Sequence, residues 1–130
     1  MRKRSTTLTL TLKRKWFDLI KSGVKLEEYR EMSLYWKCRF LSNYNDYALE
    51  HLIAHNSLHN DCYERVTEEL EHQNILKHFD TLVFTLGYPK KTDTERRLVF
   101  KNPKIRINTG KPEWGAESNK EYFVITWEGN

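Results

Sequence analysis

The chain has 130 residues, of which 38% are hydrophobic and 31% are charged, and its formal net charge at pH 7 is +4. This length and balance are typical of one folded domain and exclude an intrinsically disordered chain. No apolar run approaches the roughly 20 residues that a transmembrane helix requires. The two cysteines, Cys38 and Cys62, favour free thiols in a reducing cytoplasm over a disulfide framework. We therefore expect a single cytoplasmic domain spanning residues 1–130, with no membrane association.

Charge is divided unevenly along the chain. Residues 44–80 contain two basic and eight acidic side chains, whereas the remaining residues contain 20 basic and ten acidic ones. A basic body can neutralise phosphate groups, so nucleic acid is a candidate partner. The acidic segment would repel the same ligand, and it is instead a candidate docking surface for a protein partner.

The first third of the chain predicts a strand, a helix and a second strand. Residues 6–12 alternate between threonine and leucine, which is typical of a strand with one buried face. Residues 13–22 place their apolar side chains on one side of a helix. Gly23 then suits the left-handed position that follows a helix end. Residues 25–30 predict a strand, and the aromatic-rich residues 34–41 predict a further extended segment.

The middle of the chain predicts helices and the last third predicts strands. The pattern from about residue 46 to residue 78 indicates two helices with a break near Asn60-Asp61. Strands return after this segment, separated by turns that contain glycine or proline, and they are predicted at 81–86, 97–101, 104–108 and 122–127. This order predicts an α+β fold: a small, mostly antiparallel β-barrel with a helix after the first strand and a helical insertion at about 44–78.

The predicted strand at 25–30 carries an unusual number of charges. On a regular strand Glu28 and Arg30 share a face and can form an ion pair, while Lys25 stands at the first position of the strand. A lysine beside a carboxylate in a partly dry pocket can act as a base or a nucleophile. The alternative is an edge strand protected by its charges. The residues alone leave both interpretations open.

A second candidate site is the loop at 110–117, which contains two glycines, Glu113 and Trp114. Trp114 is a candidate for stacking on a base, because aromatic faces bind bases without sequence preference. Tyr88, which precedes a pair of lysines, is a candidate for the same role. The alternative for Trp114 is a core tryptophan that fills the end of the barrel.

All five histidines lie between residues 44 and 80, and three of them, His51, His55 and His59, are spaced by four. This spacing places them on one helical face, and a pair at this spacing can ligate zinc. A closed Cys/His pattern is absent, however, so the sequence favours a solvated polar face and predicts no metal site. The chain also lacks a phosphate-binding loop, a dinucleotide fingerprint and a nucleophilic serine motif, so no cofactor is predicted.

The chain resembles the ASCH domain, a member of the PUA-like β-barrel group. The residues that carry the resemblance are Leu8-Thr9-Leu10 leading into 16–20, the stretch from Gly23 to Arg30, and 111–125. Gly23, Lys25, Glu28 and Arg30 match the family stretch Gly-x-Lys-x-x-(Glu or Thr)-x-Arg. The C-terminal part is similar to the small stand-alone ASCH proteins of bacteria and their phages. Together the similar regions cover about 6–42 and 79–127, and residues 44–78 look like an insertion.

The resemblance implies a basic cleft beside the first helix that binds RNA or a modified nucleoside. In such a cleft Lys25 and Arg30 would contact phosphate or a polar base edge, and Glu28 would orient Arg30. Tyr88 or Trp114 would stack on the base.

The resemblance also implies a catalytic alternative. Some small members are amidohydrolases that remove the acyl group of N4-acylated cytidine with a lysine, a threonine and a glutamate. By position the lysine is Lys25, Glu28 occupies the threonine position, and Glu113 is the candidate for the third group. Other members are ribonucleases, which is a weaker alternative here. Whether the chain is an enzyme stays open.

Overall fold

The structure is a computed structural model that describes residues 6–42, 62–72 and 75–129. Within these ranges the chain forms five strands, three α-helices and one short 3₁₀ helix. In chain order these are β1 (Thr7–Leu12), α1 (Arg14–Lys21), β2 (Glu28–Glu31), α2 (Leu34–Phe40), α3 (Cys62–His72), β3 (Thr81–Leu86), β4 (Arg97–Thr109), the 3₁₀ helix (Pro112–Trp114) and β5 (Glu121–Glu128).

The five strands form one mixed sheet in the order β1-β3-β4-β5-β2. β1 and β3 run parallel, with Thr7 opposite Thr81 and Leu12 opposite Leu86, whereas β3 and β4 run antiparallel. A parallel pair requires a long crossover connection, and residues 13–80, which include α1, α2 and α3, supply it. The α+β class is therefore confirmed. The predicted barrel is not closed within the described ranges, because the strand order has two ends, at β1 and at β2.

The described residues divide into two compact units. The first unit contains 6–28, His78–Lys104 and 125–129, and the second contains 29–42, 62–72, 75–77 and Ile105–Val124. The single domain at 1–130 stays a prediction.

The first unit buries one face of β1 and one side of α1. Leu8, Leu10 and Leu12 are buried while the threonines between them are exposed, so the predicted alternation is confirmed. Helix α1 buries Phe17 and Ile20, as its periodicity predicted. Apolar burial of this kind contributes most of the stability of a small fold.

The second unit contains the element that the sequence interpretation missed. Residues 34–41 were expected to be extended, but Leu34–Phe40 is the helix α2. The hydroxyl of Ser33 caps this helix by accepting a hydrogen bond from the Trp36 N–H. One turn apart, the rings of Trp36 and Phe40 stack with their centroids 5.3 Å apart. Capping and this contact outweigh the strand preference of aromatic residues.

The strand predictions hold with shifted boundaries. Strand β2 begins at Glu28, three residues later than expected, and the predicted strands at 97–101 and 104–108 form one strand, β4. Asn102 lies within β4 at φ +50°, and its N–H donates to the carbonyl of Asp80. A left-handed residue within a strand bends it without ending it, as in a bulge.

The helical insertion expected at about 44–78 is described only in part. Helix α3 confirms the second of its two predicted helices. The first helix, together with His51, His55 and His59, lies outside the described residues.

Candidate functional site

The turn after α1 fixes the start of the segment that carries the charged residues. Gly23 has φ +81°, its N–H donates to the Ile20 carbonyl, and the N–H of Val24 donates to the Leu19 carbonyl. These two hydrogen bonds form a complete Schellman motif, as a glycine in this position predicts. The N–H of Lys25 also donates to the Leu19 carbonyl, at 3.0 Å. The backbone of Lys25 is therefore tied to the end of the helix.

Lys25 and Glu28 form a buried ion pair in the first unit. The Lys25 ammonium lies 2.8 Å from Glu28 Oε1, and the side chains are 1% and 7% exposed. Because residues 24–27 are not part of a strand, these two side chains meet, although strand alternation would have placed them on opposite faces. Residues three apart in the sequence are thus in direct contact.

Polarity is inverted around this pair. The charged Lys25 and Glu28 are buried, whereas their apolar neighbours Val24 and Leu26 are each 58% exposed. Burying two ions costs several kcal/mol per ion, and the cost is offset only when the two are in contact. A solvated, charge-protected edge therefore does not describe Lys25.

The indole of Trp16, on α1, covers this pair. Lys25 Nζ lies 4.3 Å from the centroid of the ring, and Lys15 Nζ lies 4.7 Å from the same centroid. A cation within about 6 Å of an aromatic face is attracted by the quadrupole of the ring. Trp16 is half-buried and Lys15 is exposed, so the indole connects the buried pair to a basic surface.

The basic surface is the start of α1. Lys13, Arg14 and Lys15 are all exposed. Arg14 pairs with Asp18 at 3.8 Å, whereas Lys13 and Lys15 have no carboxylate within salt-bridge distance among the described residues. The ammonium of Lys15, beside Trp16, and that of Lys13, at the start of the helix, are therefore available to an anion.

The other predicted site residues are distributed over both units. Tyr88 belongs to the first unit and is 94% exposed. Arg30, Glu113 and Trp114 belong to the second unit. Arg30 is half-buried, and its guanidinium lies 5.1 Å from the centroid of the Trp36 ring. Of the predicted set, Lys25 and Glu28 are the two that the described contacts bring together.

The loop around Trp114 is ordered by a tyrosine of the second unit. The Tyr29 hydroxyl accepts a hydrogen bond from the Lys111 N–H at 3.0 Å. A Cβ on Gly110 would lie 2.8 Å from the Tyr29 ring and 2.6 Å from the Cβ of Ala116, so only glycine fits there. Trp114 is half-buried, with the Lys111 ammonium 4.5 Å from its ring centroid.

Sequence reasoning missed the contacts of one residue and the fold of one segment at these sites. The contacts of the Trp16 ring with Lys15 and Lys25 were not predicted, although the lysine that precedes the tryptophan was a signal for a cation–π contact. The aromatic run at 34–36 was assigned to an extended segment. Ser33 before that run was the signal for a helix start.

A cavity of about 190 Å³ lies in the second unit. The residues that line it are Thr67, Glu68, Arg106, Ile107 and Asn108. The hydroxyl of Thr67 accepts a hydrogen bond from the Ile107 N–H, which joins α3 to β4. None of the predicted site residues lines this cavity.

Among the residues that the structure describes, no group of three or more His, Cys, Asp or Glu side chains is placed to hold a metal ion. None of the helices in the described ranges has the length and apolar content that crossing a membrane requires. No family model, no curated protein and no solved structure matches the chain.

Proposed function

We propose that this chain is an ASCH-type, PUA-like domain that binds single-stranded RNA, or a nucleoside within it, in the cytoplasm. The observation that carries this proposal is Trp16, whose half-buried indole lies 4.3 Å from the buried ammonium of Lys25 and 4.7 Å from the ammonium of the exposed Lys15. A partly exposed aromatic ring with cations around it is the arrangement that binds a base and its phosphate together.

Each residue of this site has a separate role in the proposal. The exposed part of the Trp16 ring stacks on a base, and Lys13 and Lys15 neutralise phosphates. Lys25 is too buried to contact a phosphate in this conformation. Its role is to fix the position of the Trp16 ring through their cation–π contact. Glu28 keeps the Lys25 ammonium in place.

Tyr88, Arg30 and Trp114 extend the proposal. Tyr88 is almost fully exposed, so its ring is available to a second base. The guanidinium of Arg30 lies 5.1 Å from the centroid of the Trp36 ring. The centroid of the Trp114 ring lies 4.5 Å from the Lys111 ammonium, and both contacts are within the second unit. We expect Arg30 and Trp114 to contribute polar and stacking contacts to the RNA.

The test is a titration of a fluorescent RNA of about ten nucleotides, a length within the range that single-stranded binding folds cover. We expect log K to fall linearly with log salt, and Lys15→Gln to reduce that slope by about one. Trp16→Leu should weaken binding about tenfold. Lys101→Gln is the matched control, because Lys101 is an exposed lysine of the same unit. Binding that is absent, or equally affected by Lys101→Gln and Lys15→Gln, contradicts the proposal.

A second candidate is hydrolysis of an N4-acylated cytidine. The observation that favours it is the 2.8 Å contact of Lys25 with Glu28, because a lysine and a carboxylate in direct contact can pass a proton between them. In this reaction water cleaves the amide bond and releases cytidine and the carboxylic acid. Glu113 is the candidate for a further acid, and it is exposed in the second unit.

The discriminating experiment incubates the protein with N4-acetylcytidine and measures cytidine. The control is the double variant Lys25→Met/Glu28→Gln, which removes both charges of the pair. Release of cytidine by the wild type and not by the double variant supports an amidohydrolase. Equal release by both proteins excludes this pair as the catalytic group.

A further inference from the structure

The second unit carries a second aromatic and basic surface, on α2. Three rings follow one another along this helix: Tyr35 lies edge-on to Trp36 with the centroids 4.8 Å apart, and Trp36 stacks on Phe40 at 5.3 Å. Two guanidinium groups, from Arg30 and Arg39, lie over these rings. We call these five residues the α2 cluster.

The three rings of the α2 cluster become more exposed in the order Phe40, Trp36, Tyr35. Phe40 is fully buried, Trp36 is half-buried and Tyr35 is 60% exposed. Each outer ring rests on the one beneath it, so the exposed ring is held in place before any ligand arrives. Preorganisation of this kind reduces the entropy that binding would otherwise cost. Tyr35 therefore offers a fixed aromatic ring to a ligand that can stack on it.

Charge identifies the kind of ligand. The guanidinium of Arg39 lies 6.0 Å from the ring centroid of Tyr35 and 5.9 Å from that of Trp36. Arg39 is exposed, and no carboxylate of the described chain lies within salt-bridge distance of it. A planar cation with no anionic partner in the described part of the chain, beside an exposed ring, suits a ligand that is both anionic and aromatic.

We propose that the α2 cluster is a base-stacking site for single-stranded RNA, in which one base stacks on Tyr35 and the adjoining phosphate binds Arg39. A protein ligand is disfavoured because the cluster offers guanidinium groups and ring faces, whereas Leu34 is the only large aliphatic side chain that is exposed in the described part of the second unit. This inference rests on the proposed function in one respect, since the ligand is of the same class.

The matched variants are available within α2 itself. Tyr35 and Leu34 are neighbours with similar exposure, 60% and 67%, but only one of them is aromatic. With an RNA of about ten nucleotides, we expect Tyr35→Leu to weaken binding about tenfold and Tyr35→Phe to leave it unchanged, because a base needs the ring and not the hydroxyl. Leu34→Ala should have no effect. Arg39→Gln should reduce the salt slope by about one.

A crosslink locates the contact. RNA containing 4-thiouridine is irradiated with the protein, and the crosslinked peptide is identified by mass spectrometry. We expect the peptide that contains Tyr35, and we expect its yield to fall in Tyr35→Leu. Circular dichroism of each variant verifies that the fold is retained, and Tyr35→Phe provides a second reading should Tyr35→Leu unfold, because loss of binding in Tyr35→Phe overturns a stacking role.

The outcomes separate this inference from the proposed function. RNA binding that depends on Lys15 and Trp16 but not on Tyr35 and Arg39 overturns the α2 site and leaves the proposed function intact. Binding weakened equally by Leu34→Ala and Tyr35→Leu also overturns it. A wild type that binds no RNA overturns both.

Discussion

The Lys25 ammonium and the Glu28 carboxylate are 2.8 Å apart, and both side chains are withdrawn from water. The contribution of this pair to the free energy of unfolding is shared by both residues, because contact with an opposite charge offsets part of the cost of burying each ion. Lys25 and Glu28 therefore behave as one unit in any substitution experiment.

Single substitutions of the pair should be far more damaging than the double substitution. Lys25→Met and Glu28→Gln each leave a partner that has lost its ion pair in the interior, and breaking a buried pair costs about 3–5 kcal/mol. The double variant removes both charges and should cost far less than the sum of the two. Urea denaturation of the four proteins at neutral pH measures this coupling. Additive losses would show that the two residues are independent.

Gly23 should be required for its backbone conformation and not for space. Its φ is +81°, and an added Cβ would meet no atom within 4 Å. Gly23→Ala should therefore destabilise the fold by about 1–2 kcal/mol, the strain of a side chain in the left-handed region. Gly23→Asn should cost less, because asparagine tolerates that region better. Equal melting temperatures for the wild type and Gly23→Ala would contradict this explanation.

Gly110, in contrast, should be required because no space is left for a side chain. An added Cβ would lie 2.6 Å from the Cβ of Ala116 and 2.8 Å from the ring of Tyr29. Gly110→Ala should therefore destabilise the fold by about 1–3 kcal/mol through overpacking. Adding Ala116→Gly removes the closest contact and should restore part of the loss. Thermal unfolding of the single and double variants measures both effects, and a double variant no more stable than Gly110→Ala would place the strain elsewhere.

Simple periodicity predicted the elements in which one physical effect dominates. The Thr/Leu alternation of β1 and the glycine that ends α1 led to the correct structures, because side-chain period and backbone φ are local properties. The prediction of an extended segment at 34–41 was wrong. Its aromatic side chains favour a strand on average, whereas the cap at Ser33 and a ring contact within α2 favour a helix.

The candidate site was predictable in its residues but not in its geometry. Lys25 and Glu28 stood out as charged positions in a region expected to alternate. Their burial depends on residues 24–27 leaving the strand pattern, and on the indole of Trp16 lying over Lys25. Contacts between separate elements are not encoded in a local pattern, so the sequence could not indicate that Val24 and Leu26 are the exposed residues.

Lys120 should titrate at higher pH than an ordinary lysine. The hydrogen bond of its ammonium to Glu31 raises the pKa of Lys120, and Glu117 adds a smaller attraction. The stabilisation that accompanies a raised lysine pKa is present in full below the unfolded pKa and is lost as pH rises through the folded pKa. Near neutral pH this stabilisation is therefore complete and does not change with pH.

Substitution of the two acids tests the cause. Glu31→Gln should lower the pKa of Lys120 more than Glu117→Gln does, because Glu31 Oε1 is 3.0 Å from the ammonium and Glu117 Oε2 is 3.9 Å away. The titration of the Lys120 side-chain carbons by NMR measures both shifts. A larger shift in Glu117→Gln would reverse the order of the two causes.

The parallel pairing of β1 with β3 has a consequence for the order in which the first unit assembles. Every paired position along these strands is separated by 74 residues, as Thr7 and Thr81 are, whereas β3 and β4 pair over a much shorter loop. Closing the longer loop costs more entropy, so the β3–β4 hairpin should form before β1 joins it. Kinetic φ-values should accordingly be higher for Leu82→Ala than for Leu8→Ala. The strand with the clearest sequence pattern, β1, should therefore join the sheet only after β3 and β4 have paired.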